Sequence, residues 1–229
     1  MNEKDIWQES LQCPGRLIVF EEVTSTQDAA IAAGLIAGDV CVALAQTRGR
    51  GRRGNSWKSD GGVTVTVVLD KTSSILPLAI GASLAATVNN AVPTVKVGIK
   101  WPNDILVNDH KLAGILIEER QNRCLVGVGL NVLEPPLTCQ KTISLIECGY
   151  KYGRQEAAQM VINSVFTAES LDDKTAIAKW KERDVLIGTK QKIVSKGELF
   201  EGLVIDIVPG NHLLMQTKDE IVSLEADQS

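Results

Sequence analysis

A chain of 229 residues with 44 % hydrophobic and 23 % charged residues has ordinary globular composition, with room for one large domain or a main domain and a small appendage. A net charge of −4 argues against a protein whose main task is gripping phosphate backbones. Two histidines, His110 and His212, leave little for a histidine-based metal site or a Ser/His/Asp triad, and five cysteines without a C-x-x-C (Cys13, Cys41, Cys124, Cys139, Cys148) read as reduced, mostly buried thiols. Met1 to Ser10 is polar and charged, giving no secretory signal, and no apolar run reaches the ~18 residues of a membrane span, so the reading is a cytoplasmic protein.

Leu17 to Val23 reads as a strand. Thr24-Ser25-Thr26, with Gln27 three positions after Thr24, is a helix-start signature, and the alanine-rich stretch to Ile36 predicts a helix ended by Gly38. Val40 to Ala45 is a short apolar strand that runs into Gln46 to Trp57, dense in glycine and arginine. Val63 to Leu69 alternates valine with threonine, as a strand does. The β-prone, uncharged run Val63 to Val68 is a candidate edge for pairing two copies into a homodimer. Leu76 to Val92 has apolar residues at helical spacing.

Val95 to Trp101 predicts a strand broken by Pro102-Asn103. Ile105 to Val107 and Leu112 to Glu118 flank Asn108-Asp109-His110-Lys111 as a hairpin. Cys124 to Val132 is a glycine-rich apolar strand, and Pro135-Pro136 marks a loop. Arg154 to Leu171 and Lys174 to Asp184 predict two helices, the second packed on the core by Trp180. After Gly188 the texture changes: Gln191 to Ser195, Leu199 to Val208, His212 to Thr217 and Glu220 to Leu224 are short strands between Lys-Gly, Pro-Gly and Lys-Asp turns. They predict a small β-barrel that leans on the rest, dividing the chain into 1–186 and 187–229.

Gly49-Arg50-Gly51-Arg52-Arg53-Gly54 matches G-x-G-x-x-G literally. A dinucleotide fingerprint follows a strand and opens a helix. Here the strand is present, but Asn55 to Gly62 is loop chemistry, so the Rossmann reading is rejected. Glycines let the backbone approach a ligand and expose N–H donors, and arginines offer forks for phosphate or carboxylate. Arg48, Arg50, Arg52 and Arg53 repel one another without an anion, which predicts a loop mobile when empty and ordered when an anion arrives. One positive loop on an acidic body suits a small anionic ligand better than nucleic acid.

Gln46 to Trp57 resembles the signature of biotin protein ligases. Lys100-Trp101-Pro102-Asn103-Asp104, Lys111-Leu112-Ala113-Gly114-Ile115-Leu116-Ile117-Glu118 and Gly127-Val128-Gly129-Leu130-Asn131 match further motifs of that family in the same order. Ser25-Thr26-Gln27 stands where the family has Ser-Thr-Asn. The agreement runs from about Ile18 to Val132. Alone, Lys111 reads as a surface lysine, Asn131 as a strand cap, Asp104 as the partner of a lysine, and Thr24 to Gln27 as a helix cap. Joint occurrence gives them their weight.

The resemblance implies an adenylate-forming ligase that makes biotinyl-adenylate from biotin and ATP, with Mg²⁺, and transfers biotin to a lysine of a biotin carboxyl carrier protein. It implies that Ser25, Thr26 and Gln46 contact the biotin ring, with the Gln27 amide in the same site. Gly49, Arg50 and Gly51 close over the biotin tail and the adenylate linkage, Arg52 meets phosphate with Arg53 second to it, and Trp57 stacks near adenine. Asn103 and Asp104 hold the nucleotide and its Mg²⁺, Lys111 lies between biotin carboxylate and α-phosphate, Gly114 lets the backbone approach, and Asn131 reads the adenine edge. Lys111 and Arg52 are the candidate catalytic residues. The implied fold is α/β (α+β in the stricter sense): a mixed, mostly antiparallel sheet with helices on one face, plus a C-terminal SH3-like barrel.

Asn55 stands where the family often has arginine, and Val63-Thr64-Val65-Thr66 lacks the usual aromatic residue. About 16 residues precede Leu17, too few for a helix-turn-helix, which predicts the single-function form without operator binding. The competing readings are a lipoate or octanoate ligase of the same fold, an arginine-loop nucleic-acid module without catalysis, and a non-catalytic homologue.

Overall fold

Side chains of a strand point alternately to opposite faces, and this period decides how the chain layers. The computed structural model describes residues 2–58, 61–136, 141–208 and 210–226; Ser59-Asp60, Cys139 and Pro209 lie outside them. In chain order come α1 (Glu3–Ser10), β1 (Leu17–Val23), α2 (Thr26–Ala32), β2 (Val40–Gln46), β3 (Gly49–Arg50), a 3-10 turn at Arg52–Gly54, β4 (Ser56–Trp57), β5 (Val63–Leu69) and α3 (Leu76–Ala91). There follow β6 (Val97–Lys100), β7 (Asp104–Val107), β8 (His110–Arg120), β9 (Arg123–Leu130), α4 (Arg154–Glu169) and α5 (Asp173–Lys181). The chain closes with β10 (Lys190–Ser195), β11 (Glu198–Val208), β12 (His212–Gln216) and β13 (Ile221–Glu225).

The main sheet has seven strands in the order β1-β2-β5-β9-β8-β7-β6; β1 and β2 are parallel and the other neighbours antiparallel. Val63, Val65 and Val67 of β5, Val126 and Val128 of β9, and Ile115 of β8 join one buried cluster with Leu78, Leu84 and Val88 of α3, Val161 and Val165 of α4, and Trp180 of α5. Trp180 is fully buried, and its Nε1 donates to Asp184 at 2.7 Å. It fits because α3 has Gly81 beneath it: a Cβ there would lie 2.7 Å from the indole.

The opposite face carries Thr64, Thr66, Gly114, Gly127 and Gly129, and of the helices among the described residues α2 covers part of it, over a small cluster of Ala30, Leu35, Cys41, Val68 and Leu125. The helical layer expected on one face is thus α3 to α5, with α2 alone on the other. Helix α2 is shorter than the sequence suggests. It gives way at Ala33 and Gly34, whose φ is +64°, rather than at Gly38. Ser25 is its N-cap without a side-chain cap bond, and Ser25, Thr26 and Gln27 are all buried.

The expectation of edge pairing through Val63 to Val68 is overturned, because β5 is interior, hydrogen-bonded to β2 on one side and β9 on the other. Its lack of charge reflects burial on both faces. The outer strands are β1 and β6. Gln8 of α1 clips β1 by donating to the Leu17 carbonyl and accepting from the Val19 amide, both at 2.9 Å. Helix α1 was not foreseen, although Asn2 caps it and Trp7 buries its inner face.

The last four strands form an antiparallel sheet in the order β10-β11-β12-β13, an SH3-like unit whose outer strands meet where Ser195 Oγ donates to the Glu225 carbonyl at 3.0 Å. Val204, Ile207, Leu213, Met215 and Leu224 belong to the same buried cluster as the main sheet. Trp101 Nε1 donates to Asn211 Oδ1 at 2.9 Å, and Lys181 pairs with Asp206 at 2.6 Å, so the small sheet is keyed to the large one. Cys41, Cys124 and Cys148 are buried free thiols and Cys13 is half-buried. Among the described residues no helix is long and apolar enough to cross a membrane.

Candidate active site

The face that α3 to α5 leave open holds a cavity of about 750 Å³. Its floor is glycine. Gly114 of β8 is paired with Gly129 of β9, and Gly127 lies two residues further along the same face. Side chains here would fill the trough: a Cβ on Gly129 would fall 2.2 Å from Cε2 of Trp57, and one on Gly127 3.1 Å from Cδ of Gln27.

One end of the trough is polar and buried. Thr26 donates from both its amide and its hydroxyl to Gln46 Oε1, at 2.7 and 3.0 Å, and Thr66 Oγ1 donates to Thr26 Oγ1 at 2.9 Å. Ser25, Thr26, Gln27, Thr64 and Thr66 are all under 5 % exposed; the first four line the cavity, and Thr66 supports Thr26 from behind. Gln27 is spent locally: its Nε2 donates to the carbonyls of Leu116 and Leu125, both at 3.2 Å.

The other end is charged. Lys111 Nζ lies 2.6 Å from Asp104 Oδ1, with both side chains 18 % exposed. Asn103 Nδ2 donates to the Ile115 carbonyl at 2.7 Å, and its Oδ1 is 3.5 Å from Nη1 of Arg52. Asn131 donates through Nδ2 to the carbonyls of Lys111 and Ile143, at 3.2 and 3.1 Å. Its N–H groups are therefore committed, and any ligand contact would use its Oδ1 as acceptor.

The roof is the β3–β4 hairpin, where Gly49 pairs with Trp57 and Arg50 with Ser56. The Gly51 amide donates to the Asn55 carbonyl at 2.7 Å, and Arg53 takes a φ of +56° in the turn between them. Trp57 projects down onto Gly129 and Gly114, with Lys111 Nζ 5.6 Å from its ring centre. Its Nε1 is buried without a hydrogen-bond partner among the described residues. Arg53 donates from Nη2 to the Val194 carbonyl at 2.5 Å, so the small sheet touches the roof.

Of the residues singled out in the sequence, Ser25, Thr26, Gln27, Gln46, Arg50, Gly51, Arg52, Arg53, Trp57, Asn103, Asp104, Lys111, Gly114 and Asn131 all line this one cavity. Gly49 does not. It is buried where a Cβ would lie 2.5 Å from the Trp57 carbonyl and 2.7 Å from Gln46 Nε2, so it serves hairpin closure. The expectation of four uncompensated arginines is corrected at Arg50, whose guanidinium pairs with Asp28 at 2.6 Å and Glu118 at 3.1 Å. The hydrogen bonds from Arg50, and next those from Arg120, hold the Asp28 carboxyl below its ordinary value against a desolvation that raises it. Sequence reasoning missed Thr64 and Thr66, and missed the floor role of Gly127 and Gly129; the signal was the period-two alternation Val-Thr-Val-Thr and Gly-Val-Gly.

The arrangement can bind a molecule with a polar head at the threonine end and an anion at the lysine end, with the indole, seated directly on the glycines, as a wall of the trough. Residues 19–133 match the model of the biotin/lipoate A/B protein ligase family. The bifunctional ligase/repressor BirA of Escherichia coli is 32 % identical over 179 residues, 70 % of this chain and 56 % of its own length. The biotin–[acetyl-CoA-carboxylase] ligase of Mycobacterium tuberculosis is 41 % identical over 111 residues, 44 % of this chain and 42 % of its own. The chain thus spans about half the length of these curated relatives. The biotin protein ligase of Aquifex aeolicus in complex with biotin and ATP superposes with a TM-score of 0.82 at 24 % identity, covering 92 % of this chain and 96 % of that one, a likeness of fold. With the family model spanning half its length, this chain belongs to the biotin/lipoate A/B protein ligase family.

Proposed function

We propose that this chain is an ATP-dependent ligase that joins biotin to ATP as biotinyl-adenylate and passes biotin to a lysine of a biotin carboxyl carrier protein. The observation that carries the reading is the single trough running from the buried Thr26–Gln46–Thr66 cluster to the Lys111–Asp104 pair. Ser25, Thr26 and Gln46 present donors and acceptors for a ureido ring, and the tail runs along the trough beside the Trp57 indole. The family name admits lipoate as well. A polar, hydrogen-bonding head pocket suits biotin better than the apolar chain of lipoate or octanoate, because buried hydroxyls and amides left unpaired penalise an apolar guest.

In the first step a carboxylate oxygen attacks the α-phosphorus, and the bond to the pyrophosphate oxygen breaks. Two anions must meet, so a cation touching both lowers the barrier, and Lys111 stands where it can do so. Arg52, beside Asn103, adds a second positive group on the phosphate side. In the second step the acceptor ε-amine attacks the anhydride carbon, AMP leaves and the amine gives up a proton; Lys111 then faces the developing oxyanion. Mg²⁺ would arrive with the nucleotide, and the Asp104 carboxylate, at the charged end of the cavity, would help to hold it. When bound, that ion would neutralise phosphate charge. Use of ATP and buried free thiols suit a cytoplasmic setting, and pairing of Arg50 with carboxylates lowers the appeal of the loop to nucleic acid.

The test is acid-dependent exchange of labelled pyrophosphate into ATP with Mg²⁺, comparing biotin, lipoate and octanoate, with Lys111→Ala as control. Exchange with biotin alone, lost in the variant, is expected. Exchange with lipoate or octanoate instead assigns the other branch of the family, and none with any acid overturns the reading.

A further inference from the structure

Arg50 lies in the roof hairpin, yet its guanidinium is claimed by carboxylates of two other elements. Its Nη1 and Nη2 donate to Asp28 of α2 at 2.6 and 3.0 Å, and its Nε and Nη2 donate to Glu118 of β8 at 3.2 and 3.1 Å. Arg120, two residues along the same face of β8, donates to Asp28 at 2.5 Å and to Glu118 at 3.4 Å. Two guanidinium groups thus alternate with two carboxylates, and the cluster carries no net charge. Asp28, Glu118 and Arg120 do not line the main cavity; of the four, Arg50 alone does. Lone surface pairs contribute little, but a bidentate fork shared between two carboxylates is the geometry in which such pairs hold.

The mechanical consequence follows from register. Arg50 is paired with Ser56 and Gly49 with Trp57, so fixing the Arg50 side chain fixes the strand that carries the indole. Along β8, Gly114, Leu116, Glu118 and Arg120 share one face, so the floor under Trp57 and the anchor for Arg50 are parts of one strand.

We propose that Asp28 and Glu118, bridged by Arg120, are positioning residues that latch the hairpin over the glycine floor and so retain the reactive acyl-adenylate until an acceptor arrives. The retention role rests on the function proposed above; the latch itself does not. An open roof admits water, which adds to the anhydride carbon, breaks its bond to the phosphate oxygen and returns the free acid and AMP.

The experiment compares wild type with Asp28→Asn, Glu118→Gln, the double variant and the conservative Asp28→Glu. Hydrogen exchange of residues 48–57 in the ligand-free protein is read first. The double variant is expected to exchange there about tenfold faster, the scale of losing charge-assisted hydrogen bonds, with the main sheet unchanged and Asp28→Glu close to wild type. Equal exchange in the double variant and wild type overturns the latch, whatever the activity. With biotin and ATP but no acceptor, AMP release is then expected to rise about tenfold while the maximal rate of pyrophosphate exchange stays within about twofold. Faster loop exchange without faster AMP release overturns the retention role. If wild type forms no adenylate, the proposed function fails while the hydrogen-exchange comparison still decides the latch.

Discussion

The Lys111 ammonium lies 2.6 Å from Asp104 Oδ1 and 5.6 Å from the centre of the Trp57 ring, so one side chain joins the charged end of the cavity to its roof. Half-buried charges so placed are compensated before any substrate binds, and an incoming phosphate or carboxylate must compete with Asp104 for the lysine. Lys111→Ala is expected to lower the maximal rate of pyrophosphate exchange by about 10²–10³, the usual loss for one group that stabilises transition-state charge. Asp104→Asn should cost less and act mainly on KM for ATP, because the lysine keeps its charge. Steady-state kinetics of both variants checks the order, and the reverse ranking would shift the central role to Asp104.

The indole of Trp57 rests on Gly129 more tightly than on Gly114. A Cβ at position 129 would sit 2.2 Å from Cε2 of the indole, whereas one at 114 would sit 3.2 Å from both Cζ3 of the indole and Cε of Lys111. Gly129→Ala must therefore expel the ring, while Gly114→Ala needs small adjustments of a flexible lysine. Biotin and ATP affinity should fall much further in Gly129→Ala. Its tryptophan emission should shift to the red as the indole meets water, a shift that vanishes in the Trp57→Phe background.

Much of this was legible in the sequence, for identifiable reasons. Fourteen of the site residues converge on one cavity because their motifs sit at strand ends and in one loop, where neighbours in sequence remain neighbours in space. Trp180 read as a core residue and is one. The interior place of β5 was not legible: an uncharged, β-prone run such as Val63 to Val68 suits an interior strand as well as a pairing edge, and the long-range pairing with β2 and β9 decides between them. Nor was the engagement of Arg50, since Asp28 and Glu118 lie 22 and 68 residues away in sequence, and the motif that ends at Glu118 does not point to a partner in the loop. Helix α1 was missed because its polarity hid Trp7, its buried residue.

Trp180 is the largest fully buried side chain, set into the notch made by Gly81. Trp180→Ala is expected to cost about 3–5 kcal/mol, the range for emptying a large aromatic from a core. Gly81→Ala attacks the same contact from the other side by overpacking, at about 1–3 kcal/mol. Because both act on one contact, the double variant should cost less than the sum. Urea unfolding of the four proteins checks this, and strict additivity would mean the two positions do not touch in solution.

The Asp28 carboxyl is held below its ordinary value, by hydrogen bonds from Arg50 first and Arg120 second. A depressed carboxyl pKa contributes stability that is complete above its unfolded value of about 3.9 and lost as pH falls through the folded value. The hairpin should accordingly stay latched from neutral pH down to about pH 4 and loosen only in stronger acid. Amide exchange of residues 48–57, corrected for intrinsic rates, should show no step between about pH 5 and 8. A step in that window would point to another titrating group at the roof.

Helix α2 carries both Thr26 of the head pocket and Asp28 of the latch, so its docking matters at both ends of the site, and Cys41 reports on it. That thiol lies beneath α2 with Ala30, Leu35, Val68 and Leu125, and burial pushes its pKa to about 12. Burial likewise pushes Cys124, on β9 of the same sheet, to about 11. The thiolate is the reactive form, so neither cysteine should be alkylated by iodoacetamide near pH 8 in the native protein, and both should be in denaturant. Peptide mass mapping distinguishes them from the half-buried Cys13. Native labelling of Cys41 without Cys124 would mean that α2 lifts away while the sheet stays intact. In that case loosening of the roof could not be assigned to the Arg50 contacts alone, because the helix that bears Asp28 would itself be the moving part.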